Sequence, residues 1–335
     1  MAILFMIGLN DKNSAIVMPG KNGKPSFSVD GSSNISGKIK FKPKFKYLSF
    51  LYGNKAPQPK LKIPPNINLA FNEISDPDSH QGALRRCSRL CRMINVPIIN
   101  HPNKIIHTTR DSVSAILQGI PLTFMPKTIR CTPRTPNDIF SSAEKGGIEF
   151  PYIVRLAGHH GGVSMTLIEK PEDLNLLHVY PFDGSDFYLT QYIDFKDDSG
   201  LYHKLRIIVI DGEPILRHAF FDQKWNVHGP SKTFMLKQEH WDEYLQRTRL
   251  LEEQILKTYM PVIKEISKRI KLEYFGIDCS IRPDGTMLIF EVNANMNVLD
   301  NRYEQLEELI ERIKKSIGKM LTKYSEIGIK RRQEM

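Results

Sequence analysis

The sequence of 335 residues holds four cysteines, Cys87, Cys91, Cys131 and Cys279. They are too few and too scattered for a disulfide framework, so reduced thiols are the default. Cys87 and Cys91 are four apart and share a helix face, but no second Cys or His pair at zinc-finger spacing accompanies them. Core packing is the expected role. Long apolar runs are also missing: Ala2 to Leu9 is the longest near the start, far below the roughly 20 residues of a membrane span. No basic residue precedes it as in a secretory signal, and it reads as a buried strand of a cytoplasmic protein. Gly and Pro, at 21 each, are too sparse for a collagen-like or disordered chain.

What the chain does have is an ordinary globular balance, 41% hydrophobic and 25% charged, at a length that suggests two domains or three small ones. Its net charge of +10 is unevenly placed. The first 70 residues contain eleven Lys, no Arg, no Glu and only Asp11 and Asp30, so the remainder is nearly neutral. From Lys38 to Lys46 lysine alternates with apolar residues at the two-residue strand period, which would make one strand face basic. Pro43 restricts such a strand to an edge or a bulge. The segment suits docking of an anionic partner, whether acidic peptide, nucleic acid or membrane face, and equally a solvated edge strand kept from aggregating by its lysines.

After the first strand comes a Lys-rich, turn-rich stretch, then an apolar run from Ile67 to Ile74. The spacing of Ala83, Leu84, Cys87, Leu90, Cys91 and Ile94 predicts an amphipathic helix over Gln81 to Ile94. A strand at Val96 to Ile99 and a helix at Asp111 to Gln118 complete an α/β domain with a parallel sheet ending near residue 120. Strands follow at Tyr152 to Leu156, Val163 to Ile168, Phe187 to Phe195, Leu205 to Val209 and Pro214 to Phe220, with Asp211-Gly212 a hairpin turn. A helix is expected from Trp241 to about Ile270, strands at Tyr274 to Ile281 and Met287 to Val292, and a charged helix from about Tyr303 to Tyr324.

The stretch from Phe275 to Asn293 is the most informative. Asp284-Gly285 lies between two strand-like runs and marks a hairpin. With a two-residue loop Pro283 faces Thr286 and Asp278 faces Glu291. Two carboxylates opposed across a ladder, among Ile277, Ile289 and Phe290, repel and are costly to ionise, so positive charge is needed between them. Asn293, two residues on, projects from the same face. Two carboxylates and an amide oxygen form a hard-cation site of the kind Mg²⁺ takes. A neutralising Lys or Arg, or a slip of one residue, would remove the need for a metal.

Gly158-His-His-Gly-Gly162 follows a strand ending near Arg155 and leads to Ser164. Glycines let backbone N–H groups approach a phosphate, with Ser164 adding a hydroxyl and Arg155 a charge. The loop matches neither the Walker pattern nor the dinucleotide fingerprint. His159 and His160 lack a third ligand, so loop polarity is their expected role. Lys204 and Arg206 alternate on one strand face, with Arg217 across the Asp211-Gly212 turn, and could clamp a transferring phosphate or be solvated surface. Trp225 and His228 suit substrate recognition as well as they suit a packed Trp and a surface His.

In this order the motifs resemble the ATP-grasp superfamily, most closely its ribosomal-protein glutamate ligase and glutathione synthetase branch. The resemblance runs from about Val96 to Asn297, through Pro126-Lys-Thr128, Phe150-Pro-Tyr-Ile-Val-Arg155, the glycine loop, Gln191-Tyr-Ile193, Lys204-Leu-Arg206, Gly276-Ile-Asp278 and Phe290-Glu-Val-Asn-Ala-Asn295. It implies an α/β (α+β) protein with a pre-ATP-grasp domain over residues 1–120, a small subdomain with the glycine loop over 121–192, and a C-terminal subdomain with the metal site over 193–325. It also implies ATP, its adenine edge on the backbone of Gln191, Tyr192 and Ile193 and its phosphates near Arg155, Gly161, Gly162 and Ser164. Two Mg²⁺ ions, or Mn²⁺, would lie on Asp278, Glu291 and Asn293, with Arg206, Lys204 and Arg217 stabilising the transferred group. Arg155 stands where the family has a phosphate-contacting Lys. A second ATP-contacting Lys is absent beside Asp111-Ser112, where Arg110 is the neighbouring cation.

The activity implied is ATP-dependent formation of an amide from a carboxylate and an amine through an acyl phosphate, with a peptide or amino acid as substrate. The Lys-rich start would then serve as a docking region for a peptide or protein, nucleic acid is not favoured, and a homo-oligomer is compatible with the chain. Two other functions fit the same motifs: a kinase of the inositol-phosphate type, which also gathers basic residues, and a non-catalytic anion- or nucleic-acid-binding protein on a decayed fold.

Overall fold

The computed structural model describes residues 1–19, 25–29, 31, 33, 35–39, 45–51, 63, 66–159, 162, 164–227, 241–301 and 303–334. The apolar run at the start forms strand β1 (Ala2–Gly8), with every residue but Ile7 buried. It lies inside a four-stranded sheet of order β4-β1-β5-β6, between β4 (Phe45–Leu51) and β5 (Leu69–Asn72), with β6 (Ile98–Ile99) at the far edge. All three pairings are parallel, which suits strands apolar on both faces. One face is covered by α2 (Gln81–Cys91), whose Leu84, Cys87 and Leu90 join the core with Leu4 and Met6. The other is covered by the last helix, α8 (Glu307–Gln333), through Ile313, Ile317 and Leu321 against Phe5 and Phe71.

Lys38, the first of the alternating lysines, is not in a strand. It ends a short helix, α1 (Ile35–Lys38), and pairs with Asp300. Residues 40–44 lie outside the described residues, and β4 at the sheet edge starts only at Phe45. Between β1 and α1, β2 (Ile16–Pro19) and β3 (Pro25–Ser28) form a separate antiparallel pair.

Short helices α3 (Pro102–Ile105) and α4 (Arg110–Ile116) lead to two further sheets. The smaller is antiparallel, in the order β10-β9-β11-β8, from β8 (Thr128–Cys131), β9 (Tyr152–Leu156), β10 (Met165–Ile168) and β11 (Phe187–Gln191). Helix α5 (Pro136–Lys145), started by a Thr135–Asp138 capping box, packs on it through Ile139 and Ala143. The larger, in the order β13-β12-β14-β15-β7, contains β7 (Thr123–Phe124), β12 (Tyr202–Ile210), β13 (Glu213–Asp222), β14 (Tyr274–Ile281) and β15 (Met287–Ala294). The region expected to be helical from Trp241 to about Ile270 is helical throughout, as α6 (Trp241–Gln254) and α7 (Met260–Ile270) joined by a π turn at Ile255–Tyr259. Pro261, two residues past that turn, cannot donate to the preceding ladder. Among the described residues no helix is long and apolar enough to cross a membrane.

Candidate active site

Asp278 and Glu291 face each other across the β14–β15 ladder, but the expected two-residue loop is not how they get there. Arg282 donates to the Thr286 carbonyl at 2.9 Å and Gly285 to that of Arg282 at 2.9 Å, which closes a three-residue loop, Pro283-Asp284-Gly285. Gly285 takes a positive φ of +78°, while Asp284 is not among the positive-φ residues. Pro283 presets the first corner of an ordinary turn, leaving only Gly285 in the left-handed region. That choice shifts the pairing by one, so that Ile281 faces Met287 and Cys279 faces Ile289. A bulge then leaves Phe290 without a partner and restores the Asp278–Glu291 pair.

Positive charge does meet each carboxylate, and it comes from side chains. Arg206 faces Asp278 from β12 and grips it with both prongs, Nε to Oδ1 and Nη2 to Oδ2, each at 2.7 Å. Lys204 Nζ lies 2.9 Å from Oδ2 of the same wholly buried carboxylate. Glu291 pairs with Arg110 of α4. Burial acts to raise the Glu291 carboxyl, but Arg110, Lys204 and Arg155 together hold it well below the usual carboxylate range. Asn293 is half-buried, two residues from Glu291 and opposite Gly276. Among the described residues no three His, Cys, Asp or Glu side chains cluster as metal ligands. Asp278, buried with both oxygens taken, is out of the expected ligand set, and Glu291 with Asn293 are the oxygens that fit a hard cation taking its other ligands from water and phosphate.

Arg155 sits in the other sheet, between Met165 and Tyr188. Its Nη2 and Nε donate to the His159 carbonyl at 2.7 and 3.2 Å, which ties the root of the glycine loop to β9. Burial, helped by Arg110, pushes its guanidinium down to about 10 against the pull of Glu291 and Asp278. Gly158 and Gly162 adopt φ of +73° and +75°, a backbone that side chains other than glycine rarely take. The Gly162 carbonyl accepts from Asn226 at 3.4 Å. Ser164 Oγ is buried with no hydrogen-bond partner among the described residues. Gly161, His160 and His228 lie outside the described residues.

Of these groups Arg110, Arg155, Gly162, Lys204, Arg206 and Glu291 line a cavity of about 650 Å³ between the two sheets, whereas Asp278, Asn293 and Ser164 are not in its lining; the volume is within the range of small-molecule sites. Ile153, Phe195, Leu288 and Phe290 supply apolar walls, Trp225 an aromatic one, and Arg110, Arg155, Lys204 and Arg206 a cationic one, with Glu291 among them. Gln191, Tyr192 and Ile193 line it along the link between the sheets. Gln191 N–H donates to Lys127 O at 2.9 Å and Tyr192 N–H to Pro151 O at 3.1 Å. The Gln191 side chain bonds the backbone of residues 149 and 151, so the backbone past it, up to Ile193, is what the link offers a ligand edge.

Arg217 is not part of this set. The β12–β13 ladder shifts register between Arg206 and Ile207, pairing Arg206 with His218 and Ile207 with Leu216 and leaving Arg217 as the bulged residue. It donates to the carbonyls of Val298 at 2.9 Å and Asp300 at 3.1 Å, which makes it a buried clamp on the segment after β15. One cavity residue carried little sequence signal: His218, stacked on Phe220 with ring centroids 4.1 Å apart. A further cluster joins the N-terminal domain to the smaller sheet: Arg130 pairs with Asp78 and Asp186, and the Tyr188 hydroxyl donates to Asp78 at 2.8 Å.

A nucleotide-sized cavity between an antiparallel four-stranded sheet and a larger sheet, behind a parallel N-terminal domain, defines the ATP-grasp fold. Solved structures with that fold align over nearly the whole chain. D-alanyl-alanine synthetase A from Vibrio cholerae shares 12% identity with a TM-score of 0.55 and covers 97% of this chain and 98% of its own. The VanG D-Ala:D-Ser ligase from Enterococcus faecalis shares 11%, TM-score 0.53, covering 97% and 100%. D-alanine–D-alanine ligase from Bacillus anthracis, complexed with ATP, shares 13%, TM-score 0.52, covering 100% and 99%. No family model and no curated protein matches the sequence. At such identities the likeness defines the fold and not the reaction.

Proposed function

We propose that this protein is an ATP-dependent carboxylate–amine ligase that forms an amide on an amino acid or a peptide. The observation that carries this reading is the convergence of Arg110, Arg155, Lys204 and Arg206 on one cavity with apolar walls and a backbone link beside it. That lining suits a base and a chain of phosphates. A substrate carboxylate oxygen attacks the γ-phosphorus, the bond to the β–γ bridging oxygen breaks, and ADP leaves an acyl phosphate. The amine nitrogen then attacks the acyl carbon, loses a proton, and phosphate departs. Such transfer needs alignment and charge neutralisation more than covalent help.

Arg206 and Lys204, fixed on Asp278, would face the transferred group, and Arg155 would hold the phosphates below the glycine loop. Ser164, with its unpartnered hydroxyl, would donate to a phosphate oxygen. Gly158 and Gly162 would let the loop backbone close over the acyl phosphate and exclude water. Mg²⁺, or Mn²⁺, held by Glu291 and Asn293, with Asp278 kept on Arg206 and Lys204, would neutralise phosphate charge.

The reading is tested by incubating the protein with ATP, Mg²⁺, hydroxylamine and panels of D- and L-amino acids and short peptides. Carboxylate-dependent ADP release with equivalent hydroxamate supports the ligase. ADP with a stable phosphorylated product, or polynucleotide binding without ATP affinity, would replace it with the kinase or the anion-binding protein.

A further inference from the structure

We infer that Arg110 is an exchangeable partner of Glu291, holding the carboxylate until nucleotide phosphates draw the guanidinium away, so that the divalent cation enters only with nucleotide. This rests on the ATP-dependent reading above.

The two carboxylates of the site are held in different ways. Asp278 is wholly buried and carries a two-pronged Arg206 together with Lys204, both from the neighbouring strand β12. A fork of that kind on a buried carboxylate is hard to remove, because departure leaves the charge unpaired. Glu291 lines the cavity, and its partner arrives from outside the sheet. Arg110 is the first residue of α4, reaches across with Nη2 alone, and lines the same cavity. Among the described residues its remaining guanidinium donors have no hydrogen-bond partner. A single-pronged arginine with free donors beside a polyanion site can turn to a phosphate at little cost, since it exchanges one anionic oxygen for another.

Charge balance points the same way. Four cations line the cavity, and the two carboxylates beside them neutralise only half of that charge. A nucleotide triphosphate supplies the missing negative charge and gives Arg110 an alternative. Glu291, released, becomes available to a cation together with Asn293 on the same strand face. Without nucleotide, a divalent ion would have to displace Arg110 into a cavity already rich in positive charge. Apparent affinity for the ion is then reduced by the fraction of molecules whose carboxylate is free.

The test measures Mn²⁺ binding to the full chain by electron paramagnetic resonance of the free ion, with and without a non-hydrolysable ATP analogue. The wild type is expected to bind Mn²⁺ about tenfold or more weakly without the analogue than with it. Arg110→Gln is expected to bind Mn²⁺ about tenfold more tightly than wild type when no analogue is present, and to bind the analogue more weakly. Arg110→Lys keeps the charge and should resemble wild type in nucleotide-free Mn²⁺ affinity. It carries the comparison, through analogue dependence, if the Gln variant does not fold. Glu291→Gln should lose Mn²⁺ binding in both states. Equal nucleotide-free affinities of wild type and Arg110→Gln, with normal analogue binding, would overturn the exchange alone. Failure of the wild type to bind the analogue would overturn the ligase reading and the exchange with it.

Discussion

The two sheets that enclose the cavity hold their cations differently. In the larger sheet Arg206 and Lys204 are spent on a buried carboxylate in the neighbouring strand. In the smaller sheet Arg155 meets, among the described residues, a backbone carbonyl and a methionine sulfur. The larger sheet therefore uses the charges it turns to the cavity to hold itself together as well, whereas among the described residues no side chain cancels the charge of Arg155 at contact distance. Loss of a cation should accordingly unfold on one side and weaken ligand binding on the other.

The largest effect is expected at Arg206. Arg206→Met leaves Asp278 buried with Lys204 alone and should cost about 3–5 kcal/mol of stability in urea denaturation. A near-neutral result would break the contrast. Glu291→Gln is expected to keep the fold and abolish ADP formation, and full turnover by that variant would remove the metal assignment. Arg155→Gln should weaken nucleotide binding by about ten- to a hundredfold, the worth of a charged hydrogen bond, with the unfolding midpoint close to wild type. Arg217→Met sharpens the comparison from outside the cavity. It should lose about 1–3 kcal/mol of stability through the carbonyls of Val298 and Asp300 and leave the ATP KM unchanged.

The smallest effect concerns pH. Glu291, held below the usual carboxylate range, contributes stability that is present above the ordinary carboxylate pKa and is lost as pH falls through its lower folded value. Glu291→Gln should flatten the acid limb of the stability profile, read from midpoints between neutral pH and pH 3.

How far the site could be read from sequence depended on whether local chemistry decided the geometry. Asp211-Gly212 and Asp284-Gly285 look alike in sequence. The first forms a two-residue loop with φ of +52° and +87°, pairing Ile210 with Glu213. The second has Pro283 before it and becomes a three-residue loop. The facing carboxylates were foreseen for a reason that was half right, because the bulge at Phe290 cancels the shift at the turn. Arg217 went astray for a related cause: a bulge leaves no periodic signal, so its place across the Asp211-Gly212 turn grouped it with Lys204 and Arg206. Helix α2 and β9 were legible because apolar spacing and burial agree there. The partners of Glu291 and Asp278 were not legible, since Arg110 and Arg206 lie far away in the chain and only the folded sheets bring them in.

The central claim, that a nucleotide triphosphate sits between the sheets on cations of both, is met most directly by calorimetric titration of a non-hydrolysable ATP analogue with Mg²⁺. The account expects one site per chain in wild type, weakened at least about tenfold in Arg155→Gln and unaltered in Arg217→Met. No binding to wild type, or the same affinity in Arg155→Gln, would contradict it.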